Sequence, residues 1–201
     1  MVHRRELLRA GAGLVLAAPL RFPIKLLMGT AGSPLTAPDV LAESGLFGSA
    51  ELISAAHENA RHARVIDIDN TVLIKQLSEA WTRNPRPLFG MTRSDVAVLV
   101  EALARDYRMA VVYRGWHDHR AGSSIHHVLY GDATVIETLK REFASAGNSF
   151  GKVLGRRVSE LAAFGARPVS VNFEVDAKRA ATGRTRFVSW AIAPAEPTLV
   201  A

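Results

Sequence analysis

The sequence predicts an α+β fold in which an antiparallel sheet, built from two hairpins, carries helices packed on one face. Runs of β-branched and aromatic residues predict strands, and these runs come in adjacent pairs, at 108–114 with 125–130 and at 169–175 with 185–192. The amphipathic segments lie before the first pair and between the two pairs. Strands grouped in adjacent pairs are typical of an antiparallel α+β arrangement.

Length and composition favour one globular domain. The chain has 201 residues, of which 48% are hydrophobic and 22% are charged, and both values lie in the range of folded domains. It contains no cysteine, which excludes disulfide bonds and thiolate metal sites. We expect a signal peptide over 1–31, a linker over 32–48, a single domain over 49–194 and a tail over 195–201.

The region before the first strand pair is predicted to form three helices. Apolar residues at helical spacing indicate a helix over 50–63 and a second helix whose apolar stripe passes through Leu73, Leu77 and Trp81. The two prolines within 84–87 end the second helix, because proline has no backbone N–H to donate. The third helix follows this break.

Capping patterns mark the starts of the later helices. Thr92 with Asp95 and Thr134 with Glu137 form capping-box pairs, in which a hydroxyl residue precedes an acidic residue by three positions. The first pair opens the third helix, and the second pair opens a fourth helix between the strand pairs. Ser149 is positioned to cap a fifth helix after a Gly-Asn break.

The distribution of charge argues against nucleic-acid binding. The formal net charge of the whole chain is +6, but residues 1–31 alone carry five basic residues and one acidic residue. The remainder holds 20 basic and 18 acidic residues, a net charge of +2, and the two signs are interleaved. Phosphate binding requires a concentrated basic surface, so we expect no nucleic-acid partner.

The N-terminus carries two consecutive arginines, Arg4 and Arg5, ahead of Glu-Leu-Leu-Arg. This segment resembles the twin-arginine signal of bacterial exported proteins, whose pattern is Ser/Thr-Arg-Arg-x-Phe-Leu-Lys. His3 and Leu7 depart from that pattern, while the residue at position 9 is arginine in place of lysine. Segments of this kind are processing signals rather than parts of the fold.

The residues after the arginine pair also fit an export signal. The weakly apolar stretch over 10–20 is shorter than the roughly 20 residues that a membrane span needs. Small residues occupy 29–31, where a signal peptidase would cleave. The resemblance implies that the twin-arginine export machinery is a partner and that the folded protein reaches the periplasm or is secreted. A mitochondrial-type presequence or an uncleaved amphipathic start are the alternatives.

Histidines are concentrated at the first strand pair. Four of the seven in the chain are His117, His119, His126 and His127, and imidazole is the commonest metal ligand. In a hairpin His117 and His119 point to one side, whereas His126 and His127 point to opposite sides. We therefore expect that His117, His119 and one of the other two, with a carboxylate or water, could hold zinc or copper. The alternative is a solvated hairpin tip with one buried histidine.

A second motif lies at 67–71, where the sequence is Asp-Ile-Asp-Asn-Thr. It matches the Asp-x-Asp-x-Thr motif of haloacid-dehalogenase-like phosphatases, and the resemblance implies Asp67 as nucleophile and Asp69 as acid/base beside magnesium. The later motifs of that family, a strand ending in Ser or Thr and an acidic pair, are not found downstream. The alternative is that a residue of this segment caps the helix that follows.

The sequence contains no complete catalytic constellation. Residues 147–151 fit the Gly-x-Ser-x-Gly pattern of α/β-hydrolases, but that nucleophile needs a strand before it and a histidine after it, and this chain has neither. We therefore expect an exported binding or accessory protein of the cell envelope, with a small ligand or protein partner not identified. The alternatives are a metal-dependent enzyme at the histidine hairpin and, less favoured, a phosphatase.

Overall fold

The computed structural model describes residues 38–59, 62–66, 70–120, 124–163, 167–176 and 185–195. The predicted signal peptide over 1–31 and residues 196–201 of the predicted tail lie outside these ranges. The strands in them are β1 Asp39–Glu43, β2 His62–Ile66, β3 Leu88–Thr92, β4 Met109–Arg120, β5 Ser124–Asp132, β6 Pro168–Asp176 and β7 Thr185–Pro194. The helices are α1 Ser49–Glu58, α2 Asn70–Arg83, α3 Ser94–Asp106, α4 Ala133–Ala146 and α5 Phe150–Leu161, with a short 3-10 turn at Gly147–Ser149.

These strands form one mixed sheet in the order β2-β1-β3-β7-β4-β5-β6. β1 pairs in parallel with both β2 and β3, whereas every other pairing in the sheet is antiparallel. The predicted α+β class with a mainly antiparallel sheet is therefore confirmed. The first predicted hairpin is also confirmed, because β4 and β5 are adjacent antiparallel strands with His117 opposite His127.

The second predicted hairpin is wrong. β6 lies at the edge of the sheet beside β5, whereas β7 is inserted between β3 and β4. The two strands differ in burial: β7 is buried almost throughout, while β6 is exposed at alternate positions. A strand in the middle of a sheet that is covered on both faces is a continuous apolar run, and an alternating strand has one solvated face.

A parallel unit of three five-residue strands, β1, β2 and β3, is not revealed by the sequence patterns. β1 lies inside the predicted linker over 32–48, and β2 lies at the end of the predicted first helix. Val40, Leu41 and Ala42 of β1 are at most 2% exposed. The prediction of a linker over 32–48 is therefore wrong, and the domain begins before residue 49.

Helices cover both faces of the sheet, which corrects the prediction that they pack on one face. Val40 and Ala42 belong to an apolar cluster with α1, α4 and α5, whereas Leu41 belongs to a second cluster with α2 and α3. The cause is the strand order. The chain steps from β1 to β2 in one direction and from β2 to β3 in the other, so right-handed crossovers place α1 and α2 on opposite faces.

The observed helix starts correct both capping-box predictions. α4 is capped by Asp132, whose carboxylate accepts hydrogen bonds from two backbone N–H groups of the first turn, rather than by Thr134. α3 begins after Arg93 with no side-chain cap. Thr92 is fully buried at the end of β3, and its Oγ1 accepts a hydrogen bond from Nε1 of Trp190 at 3.0 Å. The side chain of Thr92 is therefore part of the core and does not cap α3.

α5 and α1 approach each other at two glycines of α5. A Cβ at Gly151 would lie 2.1 Å from the backbone oxygen of Gly48, and a Cβ at Gly155 would lie 2.6 Å from that of Leu52. Gly48 has a φ of 87°, a backbone conformation that glycine adopts without strain. This contact positions the loop between β1 and α1, and Phe47 of that loop lies against the histidine-bearing hairpin.

Candidate functional site

The β4–β5 hairpin presents its histidines on both faces of the sheet. His117 and His127 lie opposite each other and point into the cluster with α1, α4 and α5, where both are at most 1% exposed. His126 points to the other face, where its Nε2 donates a hydrogen bond to Oδ1 of Asn172 at 2.6 Å. As strand alternation predicts, only one of His126 and His127 shares a side with His117.

A buried chain of hydrogen bonds runs through Tyr113, Ser189, His117 and His127. The hydroxyls of Tyr113 and Ser189 are 3.0 Å apart, and Oγ of Ser189 is 2.7 Å from Nε2 of His117. Nδ1 of His117 and Nδ1 of His127 are also 2.7 Å apart. When both imidazoles are neutral, each of these hydrogen bonds has one proton to donate and one acceptor. This series of hydrogen bonds therefore joins β4, β5 and β7 while all of its groups are uncharged.

The surroundings of the histidine pair are aromatic. The rings of Phe143 and Phe150 lie within 6.4 Å of both imidazoles, and Phe187 and Phe173 each stack on one of them. Because burial disfavours imidazolium, the pKa of His127 falls to about 3. Burial, together with the neighbouring His127, likewise holds the pKa of His117 well below its usual value. Burial also raises the pKa of the Tyr113 hydroxyl. All three groups are therefore neutral near pH 7.

Ser189 and His117 have the donor and acceptor arrangement of a nucleophile and its general base. However, Ser189 has no exposed surface and lies in the middle of β7. A substrate would have to pass through the packed core to reach Oγ of Ser189. The hydrogen-bond network therefore connects neighbouring strands and is not an accessible catalytic centre.

His119 is the third buried histidine of the hairpin. Its ring stacks on Phe47 with the ring centroids 4.5 Å apart, and neither of its nitrogens has a hydrogen-bond partner. Burial lowers its pKa. The described residues contain no group of three His, Cys, Asp or Glu side chains arranged to hold a metal ion. Two imidazole nitrogens that share a tetrahedral zinc stand roughly 3.3 Å apart, whereas the facing nitrogens of His117 and His127 are hydrogen-bonded at 2.7 Å.

The phosphatase motif falls largely outside the described residues. Asp67 and Asp69 are not among them, while the strand that precedes them, β2, is the outermost strand at one edge of the sheet. Only β1, β2 and β3 are parallel, so four of the seven strands belong to an antiparallel arrangement. Neither finding adds support for a phosphatase.

The carboxyl ends of β1 and β3 are the place where ligands bind in many parallel sheets. Here Glu43, at the end of β1, is 2% exposed. Its carboxylate accepts a hydrogen bond from the backbone N–H of Arg93 at 2.9 Å and forms an ion pair with Nε of the same residue at 2.8 Å. This ion pair joins the two strand ends and leaves the buried carboxylate satisfied.

The other face of the antiparallel half is exposed. α2 and α3 pack over β1, β3, β7 and the start of β4, and within the described part of the chain no helix covers the remainder. We call the residues that point outward here the open face: Arg114, Trp116, Asp118, His126, Val128, Tyr130, Ser170, Asn172, Glu174 and Arg186. Its large aromatic side chains, Trp116 and Tyr130, are 43% and 40% exposed.

The charged side chains described on the open face lie close to groups of opposite charge or to an aromatic ring. Arg114 pairs with Glu101 of α3, and its guanidinium lies 5.3 Å from the ring centroid of Trp116. Nε of Arg186 is 3.5 Å from Oδ1 of Asp118. Among the open-face residues whose side chains the structure describes, two arginines therefore stand beside two acidic residues, Asp118 and Glu174.

A depression of about 260 Å³ opens on this face beside the first turn of α3. Its lining includes Ser94, Trp116, Asp118, His126, Arg186 and Val188. An aromatic side chain with a few convergent polar groups is the usual composition of a ligand site. Core packing is the default expectation for a tryptophan, and Trp116 departs from it. The signal that could have revealed its exposure is alternation, since a buried His117 places its neighbour on the opposite face.

Within the described ranges no helix has the length and apolar character needed to cross a membrane. Comparison of the chain with protein-family models, with curated proteins and with solved structures found no match.

Proposed function

We propose that this chain is an exported binding protein of the cell envelope, without catalysis of its own, whose ligand contacts the open face. The observation that carries the proposal is the exposure of Trp116 and Tyr130, at 43% and 40%, on adjacent strands of the open face, where Trp116 also lines a depression of about 260 Å³. Exposed apolar surface with a polar rim is typical of interaction sites. Aromatic side chains supply much of the binding energy at such sites, with little conformational entropy to lose.

The chemistry of the remaining groups supports binding rather than catalysis. Ser189 and His117, which have the donor pattern of a nucleophile and base, are buried in the sheet. On the open face Arg186 pairs with Asp118, and His126 pairs with Asn172. These pairs orient polar groups at the rim of the depression, which is what specificity toward a bound ligand requires.

Removal of the open-face aromatics should abolish envelope binding while leaving the fold intact. We expect the purified full chain to co-sediment with isolated bacterial cell envelope, and Trp116→Ala combined with Tyr130→Ala to reduce the bound fraction at least about tenfold, the loss typical of two hot-spot residues. Both side chains are already partly solvated, so the unfolding midpoint should change little.

The matched control is Leu99→Ala, because Leu99 is a similarly exposed apolar residue, at 44%, but lies on α3 outside the open face. It should co-sediment like the unaltered chain. Equal sedimentation of the double variant and the control would show that the open face is not the binding surface.

Export is tested separately at the arginine pair. The twin-arginine resemblance implies that Arg4 and Arg5 are read together by the export machinery, and lysine keeps their charge without the guanidinium geometry. We expect replacement of both by lysine to leave the full-length precursor in the cytoplasm, as followed by cell fractionation. Appearance of the processed protein outside the cytoplasm in the doubly substituted chain would contradict twin-arginine export.

A further inference from the structure

We infer that the ligand of the open face is an uncharged glycan chain, an inference that rests on the proposed binding function. The first argument is the placement of the aromatic rings. Trp116 lies on β4 opposite Val128, and Tyr130 lies two residues further along β5. The two side chains are therefore diagonal neighbours, with Cβ atoms roughly 7–8 Å apart. Together with Val128 they offer an apolar platform for the C–H faces of sugar rings, beside the Arg114 guanidinium that lies 5.3 Å from the Trp116 ring centroid.

The second argument is the mixture of donors and acceptors around this platform. His126 donates to Oδ1 of Asn172, and the NH₂ group of that amide adds a hydrogen-bond donor to this face. The pair of Arg186 and Asp118 lines the same depression as Trp116 and brings a donor and an acceptor side by side. Sugar hydroxyls both donate and accept hydrogen bonds, so they match such a rim.

The third argument is charge. A single-stranded nucleic acid also stacks on exposed aromatic rings, but it needs a positively charged groove along its backbone. Among the side chains described on the open face, Arg114 is instead paired with Glu101 and Arg186 with Asp118, so neither arginine is an uncompensated charge. The platform therefore favours a ligand that stacks but carries no charge.

The test is titration calorimetry of the full chain with three probes: hexamers of β-1,4-linked N-acetylglucosamine, hexamers of β-1,4-linked glucose, and a dT oligonucleotide. We expect at least one of the sugar hexamers to bind, with an affinity that changes by less than about twofold between low and high salt, since no counterions are released. Trp116→Ala should weaken this binding by about tenfold or more. Leu99→Ala should leave it unchanged.

Tryptophan fluorescence provides an independent readout in the unaltered chain. Trp81 and Trp190 are at most 4% exposed, whereas Trp116 is 43% exposed. Contact with a sugar should therefore shift the emission of Trp116 and protect it from an external quencher. Absence of both heat and fluorescence change with the two hexamers would overturn the glycan inference. Binding of the oligonucleotide with a steep salt dependence would overturn it in favour of a nucleic acid.

The outcome of this experiment is separable from that of the proposed function. Suppose that the full chain co-sediments with the envelope through Trp116 and Tyr130 but binds neither hexamer. The open face is then a binding surface for another class of ligand, and the glycan inference is wrong. If the aromatic substitutions do not affect co-sedimentation, the proposed function fails together with the inference.

Discussion

Acidification from pH 7 to pH 4 is expected to remove a substantial part of the stability of this domain. His127 and His117 are neutral in the folded protein because burial lowers their pKa values, that of His127 to about 3. An unfolded histidine has a pKa of about 6.5. Between these values the unfolded chain binds more protons than the folded one, so stability falls as the pH falls.

The size of the effect follows from the pKa difference. Each buried histidine contributes a slope of about 1.4 kcal/mol per pH unit below pH 6.5. With a folded pKa of about 3, His127 alone loses about 3 kcal/mol of stability by pH 4.3, and His117 adds a loss of the same sign, against a total of about 5–15 kcal/mol for a typical domain. Chemical unfolding at a series of pH values measures this slope directly.

A double substitution isolates the contribution of the histidine pair from that of the carboxylates. Phenylalanine at both His117 and His127 removes two titrating groups together and leaves Tyr113 and Ser189 bonded to each other. Replacing both partners of a hydrogen bond by apolar groups of similar shape has a small effect on stability. We expect this variant to keep much of its stability at pH 4.5. His126→Gln, on the open face, is the control. Equal slopes in the two variants and the unaltered chain would contradict the buried, neutral pair.

The sequence predicts helices and strands whose pattern lies within one stretch of the chain. It does not predict which strands pair with each other in the sheet. α3 and α4 have long amphipathic patterns, and β4 and β5 are adjacent in the chain, so each was expected, although β4 extends to Arg120, six residues beyond its predicted end at 114. β6 and β7 are also adjacent, yet β7 pairs with β3 and β4 because its two apolar faces need cover on both sides. No local pattern specifies which strands a buried run will join.

The same distinction explains what was missed in the candidate site. Alternation along β4 and β5 was enough to predict that only one of His126 and His127 faces His117. The partner of His117, Ser189, lies 72 residues away along the chain, and its position depends on the insertion of β7. The exposure of Trp116 depends on how far α2 and α3 extend over the sheet. That extent follows from the parallel unit of β1, β2 and β3. Strands of five residues are too short to give a clear sequence pattern, so this unit was not predicted.

Alanine in place of Gly151 is expected to destabilise the domain, although alanine is the better helix former. In an exposed helix the exchange of glycine for alanine is favourable by about 1 kcal/mol. Here the new Cβ would lie 2.1 Å from the backbone oxygen of Gly48. Backbone atoms cannot rotate away as a side chain can, so α1 and α5 must separate.

Separation of the two helices opens the apolar cluster that covers the buried histidines. Overpacking of this kind typically costs about 1–3 kcal/mol. We expect the denaturation midpoint to fall for Gly151→Ala and to remain nearly constant for Lys152→Ala, the exposed neighbour on the same helix. Because intrinsic helix propensity and steric contact predict opposite signs, the direction of the shift alone decides between them. A more stable Gly151→Ala chain would show that α1 and α5 do not meet at this glycine.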